Sequence, residues 1–397
     1  MPKAKSLRQL LLAWHLHLGL WLGVLFALLG ITGSALVFYL EIDRALNPAI
    51  KVVSLSAESR SFDAIHQKLK EAQPSRAGAW RIEQPLTEGA PIMARYYDPV
   101  ETAGQKFAPL MLSLDPHTLE VTSDRFWGDY AVTWLYDLHY TLLLGETGHN
   151  AVGALGVLLT TSLFTGLYVW WPSKKRWRRA IRPVARANIV LRTYDLHVLS
   201  GVYSVLIMLV LAVTGVMLAF PNATHFLINL ASPVTQSQPM QRGLHANDSK
   251  MLSLDVAVRI AQARYPSAEV RWVETSGEDG RPISIRLYQA GEPGRRFPKT
   301  YVWVHPVTGA VLYEQDPLTQ SLGAKALSWI HPLHNGEAFG LFGRLIACIV
   351  GLVPCLLLVT GLMRWRQKRR AKSRASHMIR TLHTLNTKIN IHPKEYL

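Results

Sequence analysis

The sequence predicts a membrane protein of the all-α class. The expected fold is a four-helix bundle made by tandem repetition of two helix pairs, with a pseudo-two-fold axis along the membrane normal and an α+β insertion in each half. Three observations lead there. Four apolar stretches are long enough to cross a bilayer, basic residues crowd into three segments beside them, and the two halves of the 397-residue chain match at fixed offsets.

Crossing a bilayer takes roughly 20 helical residues. Leu10–Leu40, Asn150–Trp171, Leu196–Phe220 and Ala338–Met363 meet that length, and Arg344 is the one charge inside them. A helix on the surface of a soluble core keeps a polar face, and these stretches have none. The first has a basic start, as a secretion signal would. Its apolar part is too long, however, holds two histidines and lacks a small-x-small cleavage site, so it is expected to remain as an anchor. Cys348 and Cys355, the only cysteines, read as packing residues of the fourth helix rather than as a disulfide or thiolate site.

Residues 1–8, 172–193 and 364–397 hold 21 of the 43 Lys and Arg but one acid, Glu395. The positive-inside rule places these segments in the cytoplasm and the two long polar segments outside. The expected division is helix one in 1–40, an outer domain in 41–148, helix two in 149–171, a basic loop in 172–193, helix three in 194–220, a second outer domain in 221–337, helix four in 338–365 and a basic tail in 366–397. A net charge of +16 also suits nucleic acid. Here the basic residues flank helix ends, so anionic lipid is the simpler partner. Trp14, Trp21, Trp127, Trp170 and Trp171 are expected in interface belts.

Internal repetition is the strongest signal. With His15 set against His197, a glycine follows at four (Gly19, Gly201), Thr-Gly at 17 (Thr32-Gly33, Thr214-Gly215) and phenylalanine at 23 (Phe38, Phe220). With His139 set against His334, tryptophan precedes by five (Trp134, Trp329). Glycines follow at nine (Gly148, Gly343) and 17 (Gly156, Gly351), Thr-Gly at 26 (Thr165-Gly166, Thr360-Gly361) and tryptophan at 31 (Trp170, Trp365). The Gly and Thr suit close helix packing in lipid. The outer segments repeat too. Ser61–Gln73 and Asp255–Tyr265 read as amphipathic helices. Strand-like runs follow at Ala79–Glu83 with Met93–Tyr97 and at Val270–Glu274 with Ile283–Tyr288, and turns at Ser113–Val121 and Trp303–Val311 close each segment.

Four histidines therefore fall into two equivalent sets. His15 and His197 lie at the cytoplasmic ends of helices one and three; His139 and His334 lie outside, before helices two and four. Two-fold symmetry would make them two facing pairs. Any one interfacial histidine can simply bond to headgroups or backbone. Paired imidazoles on facing helices can also ligate a haem iron axially. Zinc wants three or four ligands, and the spans supply no carboxylate for it or for a proton relay. Tyr136–His139 and Tyr194–His197 both read YDLH, with Asp137 and Asp195 as candidate N-caps that aim the histidine. If the helix begins a turn earlier, the tyrosine shares the histidine's face instead. His17, His149 and His331 are secondary candidates without repeat partners: Leu199, Arg344 and Tyr136 stand at the matching positions. Seventeen residues of helix between His15 and Thr32 span about 26 Å, so the two sites are expected near opposite membrane faces.

Nearly the whole chain resembles the PepSY-associated transmembrane family, also called iron-regulated membrane proteins. The matching stretches are WHLHLGLWLGVLFALLGITGSALVF at 14–38, LYDLHYTLLLG at 135–145, GLYVWWP at 166–172, YDLHVLSGVY at 194–203, LHNGEAFGLFGR at 333–344 and VTGLMRW at 359–365. The PepSY-like outer segment is Leu252–Gln315. The first outer segment departs from it, with Leu119-Glu120 where the turn glycine would stand. The resemblance implies an inner-membrane oxidoreductase that binds two haems b and reduces periplasmic ferric siderophores. It also implies an electron donor from elsewhere, a flavoprotein or a membrane quinol, because some relatives carry a fused flavin domain for which too few residues follow Trp365. Two other readings stand beside it. A siderophore permease would show broken polar helices at mid-membrane, for which only Pro354 speaks, and a haem-free periplasmic binding or inhibitory module would leave the histidines without a cofactor.

Overall fold

A computed structural model describes residues 6–389 apart from 51, 53–59, 106, 185, 235–241 and 245–249; Lys3, Lys5, Lys394 and Glu395 of the charge pattern lie outside these. The helices are α1 Leu7–Trp21, α2 Gly23–Leu36, α3 Tyr39–Leu46, α4 Phe62–Ala72, α5 Ala131–Thr141, α6 Gly145–Trp170, α7 Trp177–Ala180, α8 Ile189–Ala219, α9 Pro221–Ala231, α10 Leu254–Arg264, α11 Leu322–His334, α12 Gly340–Gly351 and α13 Val353–Ile389. The strands are β1 Trp80–Glu83, β2 Ile92–Tyr96, β3 Leu110–Leu114, β4 Val121–Phe126, β5 Glu269–Glu274, β6 Ile283–Tyr288, β7 Thr300–Val304 and β8 Val311–Gln315.

Three helical stretches among the described residues are long and apolar enough to cross a membrane: Gly145–Trp170, Ile189–Ala219 and Glu337–Leu382. A fourth exists only if α1 and α2, bent by 63° at their junction, count as one span. The bend falls at Leu22 and Gly23, and a glycine beside a break is the usual place for a helix to fold over. The chain is therefore not an all-α four-helix bundle carrying two small insertions. Apolar length alone read residues 10–40 as one rod, and the sequence pattern held no sign of how the insertions combine.

The chain divides into two compact units. One comprises Met1–Ile31, Val157–Leu209 and Ile349–Leu397 and is helical. Within it Arg8 donates to the carbonyl of Val169 at 2.7 Å. Arg364 lies over the ring of Tyr194 at 5.0 Å.

The other unit, Thr32–Gly156 with Val210–Cys348, contains one eight-stranded antiparallel sheet in the order β4-β3-β2-β1-β5-β6-β7-β8. The two insertions thus share a single sheet. Each half would by itself expose a first strand with unpaired backbone groups, an aggregation-prone edge. Here β1 and β5 pair with each other, Ile82 opposite Val273 and flanked by Arg81 opposite Glu274 and Glu83 opposite Trp272. Helices α4 and α10 pack on one face through Phe62, Ile65, Leu69, Leu254, Ala257, Val258 and Ala261, against strand residues such as Ile82, Leu112, Ile285 and Val302.

The two helices also cap each other. Asp63 accepts the backbone amide of Leu254 at 2.8 Å, and Asp255 accepts that of Phe62 at 2.9 Å. A helix start leaves such amides without intrahelical partners, and each is satisfied by the acid of the repeat-related helix. The closing turns are alike as well. Gly309 has φ +73° and Leu119 has φ +60°, so leucine adopts the left-handed conformation at about 1–2 kcal/mol of strain. Its side chain is buried in the shared core, which offsets that cost.

Candidate functional site

Each unit holds one histidine pair. In the helical unit His15 on α1 and His197 on α8 have ring centroids 6.4 Å apart with planes inclined at 78°. In the sheet-bearing unit His139 on α5 and His334 on α11 stand 6.3 Å apart at 44°. The distances are nearly equal although the supporting helices differ.

The seat of each ring is a Thr-Gly pair. His197 Nδ1 lies 2.9 Å from Thr360 Oγ1. His139 Nδ1 lies 3.0 Å from Thr32 Oγ1. His334 Nδ1 lies 3.1 Å from Thr214 Oγ1 and 3.0 Å from the carbonyl of Leu211. His15 departs slightly: its Nδ1 meets the carbonyl of Ser162 at 3.0 Å, and Thr165 donates to that same carbonyl at 3.0 Å. The glycine beside each threonine lets the ring lie on the helix backbone. A methyl group at Gly33, Gly166 or Gly215 would come within 2.9, 2.9 or 3.0 Å of Cε1 of His139, His15 or His334; at Gly361 it would stand 3.5 Å from His197 Cε1.

These partners decide the tautomer. A carbonyl oxygen only accepts, so His15 and His334 carry their proton on Nδ1. The Thr360 hydroxyl donates to the carbonyl of Leu356 at 2.7 Å, so its oxygen receives the proton of His197 Nδ1. In these three rings the lone pair is on Nε2, the form in which imidazole binds a metal, and the Nδ1–H bond both orients the ring and raises its basicity.

The spacing suits one metal ion between two imidazoles. With each bond about 2 Å long and the ring centre about 1.1 Å behind the nitrogen, opposed ligands put the centroids roughly 6 Å apart. For ligands opposed in this way, a rotation of one ring plane about the common axis leaves that distance unchanged. Among the described residues no three His, Cys, Asp or Glu side chains form a metal-sized cluster. Each pair could supply two ligands, a set suited to a metal whose remaining positions a macrocycle would fill.

The secondary candidates do not join the pairs. His17 is exposed, with Nδ1 2.6 Å from the carbonyl of Ala13 on its own helix. His149 is buried against Tyr140 at 4.4 Å, its Nδ1 without a hydrogen-bond partner among the described residues. His331 packs on Phe297 at 4.7 Å. Asp137 and Asp195 are not N-caps, because α5 starts at Ala131 and α8 at Ile189. Asp137 instead accepts from Trp127 Nε1 at 3.1 Å, and Asp195 pairs with Arg186 at 2.6 Å. Trp127 is accordingly buried in the sheet-bearing unit rather than part of an interface belt. What the sequence reading missed is the second half of each site. Four Thr-Gly pairs at matched offsets stood beside four matched histidines, and they read only as helix-packing residues.

Among curated proteins none matches the chain. The family model of the PepSY-associated TM region matches residues 12–368, which take in the four paired histidines and the four Thr-Gly seats, and the chain belongs to that family.

Proposed function

We propose that this membrane protein is a two-haem reductase of ferric siderophores in the inner membrane, with both termini cytoplasmic. His15 and His197 would hold one haem b, and His139 and His334 the other. The observation that carries the reading is the conjunction of spacing and seating: two pairs of imidazoles 6.4 and 6.3 Å apart, each ring with Nδ1 engaged by a neighbouring helix.

Haem held at such a pair would supply one-electron transfer between Fe(III) and Fe(II). The chain's own contribution is to fix the rings. In His15, His197 and His334 threonine and carbonyl acceptors hold the Nδ1 proton, and the glycines bring helix backbone against the rings. The substrate is chelated Fe(III) outside the membrane. One electron converts it to Fe(II), which hard oxygen donors hold less tightly, so the metal is released. Electrons would enter at the His15–His197 centre from a flavoprotein or quinol and leave at the His139–His334 centre.

The reading is tested with protein from haem-replete cells, purified in detergent, reduced with dithionite and freed of excess reductant. Mixed anaerobically with a ferric siderophore, its α and β bands should collapse while Fe(II) accumulates on a chromogenic chelator. Bands that persist beside the ferric chelate contradict the reductase, and a preparation without a Soret band returns the chain to a haem-free binding role.

A further inference from the structure

The sheet face turned away from α4 and α10 carries charge. Alternation along the strands puts Arg81, Trp272, Arg286 and Tyr301 there, and Lys299, next to β7, joins them. Most cations of this face have acids: Arg81 pairs with Glu274 at 2.5 Å and Arg95 with Glu83 at 2.8 Å. Arg286 and Lys299 have no carboxylate within ion-pair distance among the described residues. The Arg286 guanidinium lies over Trp272 at 3.9 Å and Tyr301 at 4.3 Å, and its buried Nε has no hydrogen-bond partner among the described residues. Glu292, the acid that acts on Lys299, is engaged by the backbone amides of Lys299 and Gln289 at 2.5 and 3.1 Å and by the Thr300 hydroxyl at 2.8 Å. Burial, reinforced by Arg286, pushes the Lys299 ammonium down to about 8. Withdrawing unpaired cations from water is costly, and an anion placed among them would relieve the cost.

Two files of aromatic rings meet at this cluster. From Trp272 one passes to Phe297 at 5.5 Å and His331 at 4.7 Å. The other passes from Tyr97 to Phe107 at 6.3 Å, Trp127 at 5.1 Å and Tyr136 at 5.2 Å. His331 and Tyr136 are repeat equivalents, each one helical turn before a paired histidine, His334 and His139. Arg81 bridges the upper ends, 4.3 Å from Trp272 and 4.8 Å from Tyr97. A ligand beside Arg81 and Arg286 is thus joined by packed side chains to both helices of the His139–His334 pair.

We infer that Arg81, Arg286 and Lys299 form a binding site for a polyanionic catecholate chelate of iron, seated beside Tyr301. The unpaired Arg286 and Lys299 select the anionic chelate over a neutral one, and the half-buried Tyr301–Trp303 stack beside them, 4.8 Å between centroids, offers its catechol rings an aromatic edge. The assignment rests on the reductase reading and narrows it to one charge class of substrate. The redox step is unchanged: chelated Fe(III) gains one electron, the protein centre loses one, and no covalent bond is made or broken.

The test uses redox-inert probes, so that binding is measured apart from electron transfer. The full-length protein in detergent is titrated by calorimetry with gallium(III) tris-catecholate, a trianion, and with a neutral gallium(III) tris-hydroxamate. The trianion should bind at least about tenfold more tightly, and Arg286→Gln and Lys299→Gln should each weaken it by about tenfold. Glu274→Gln, which removes a compensating acid, should tighten it. Lys299→Gln keeps the aromatic sandwich of Arg286 intact and serves if Arg286→Gln fails to fold. Equal affinity for the two chelates, no binding of the trianion, or unchanged binding by folded Lys299→Gln overturns the site. Haem-loaded protein that is oxidised by ferric chelates yet indifferent to the gallium trianion loses this site and keeps the reductase; haem-free protein that binds the trianion does the reverse.

Discussion

His197 Nδ1 lies 2.9 Å from Thr360 Oγ1, and the Thr360 hydroxyl donates onward to the carbonyl of Leu356. The hydroxyl is therefore an acceptor toward the ring and holds it in the tautomer with Nε2 unprotonated. Thr360→Val keeps the shape and removes the acceptor. Loss of such a supporting hydrogen bond costs roughly 10–100-fold in metal affinity. The variant should lose haem from one of two sites on dilution or competition with apomyoglobin, read as a fall in haem per protein. Thr165→Val should not, because His15 leans on the backbone carbonyl of Ser162. Equal retention in both variants contradicts the account of the seat.

The glycines make a graded prediction. A methyl group at Gly166 would meet His15 Cε1 at 2.9 Å, whereas at Gly361 it would stand at 3.5 Å from His197 Cε1, an ordinary contact. Gly166→Ala should displace the ring and disturb the visible spectrum. Gly361→Ala should leave it close to wild type. The reverse order would mean that ring position is not set by the Thr-Gly seats.

Much of this was legible in the chain, and what was not has a physical reason. The apolar runs and the four matched histidines are local or periodic features, and sequence displays them directly. The pairing of Ile82 with Val273 is not of that kind: two edge strands nearly 200 residues apart meet because each lacks a partner, and no periodicity records it. The bend at Leu22 and Gly23 was hidden by uninterrupted hydropathy. The Thr-Gly pairs were visible but ambiguous, since small residues also serve helix packing. Leu119 misled in the opposite sense, since a leucine at φ +60° holds a turn that sequence reserves for glycine.

The crossed caps of α4 and α10 carry a stability prediction. Asp255→Ala leaves the amide of Phe62 without its acceptor and should destabilise the sheet-bearing unit by about 1 kcal/mol. Asp63→Ala, which strips the start of α10, should cost a similar amount. Thermal unfolding followed by far-ultraviolet circular dichroism would register both as lowered midpoints. Unaltered midpoints would show that the two helix starts do not depend on each other.

The proposed chelate site carries a pH dependence whose sign is fixed. Lys299, brought down to about 8 by burial and by Arg286, is charged below that pH and neutral above it. Arg81 adds to the same push, and Glu292 opposes it. An anion binds the charged form, so affinity for gallium(III) tris-catecholate should fall as pH rises through about 8. Lys299→Gln should flatten that stretch of the profile. A wild-type profile level from pH 7 to 9 would remove Lys299 from the site.

The most direct test of the central claim is haem content against histidine identity. The pyridine haemochrome of purified wild-type protein, set against its amino-acid concentration, should give two haems b per chain, and His334→Ala should give one, with the remaining haem lost on further substitution of His15. Two haems retained in His334→Ala, or none in the wild type from haem-replete cells, would contradict the account.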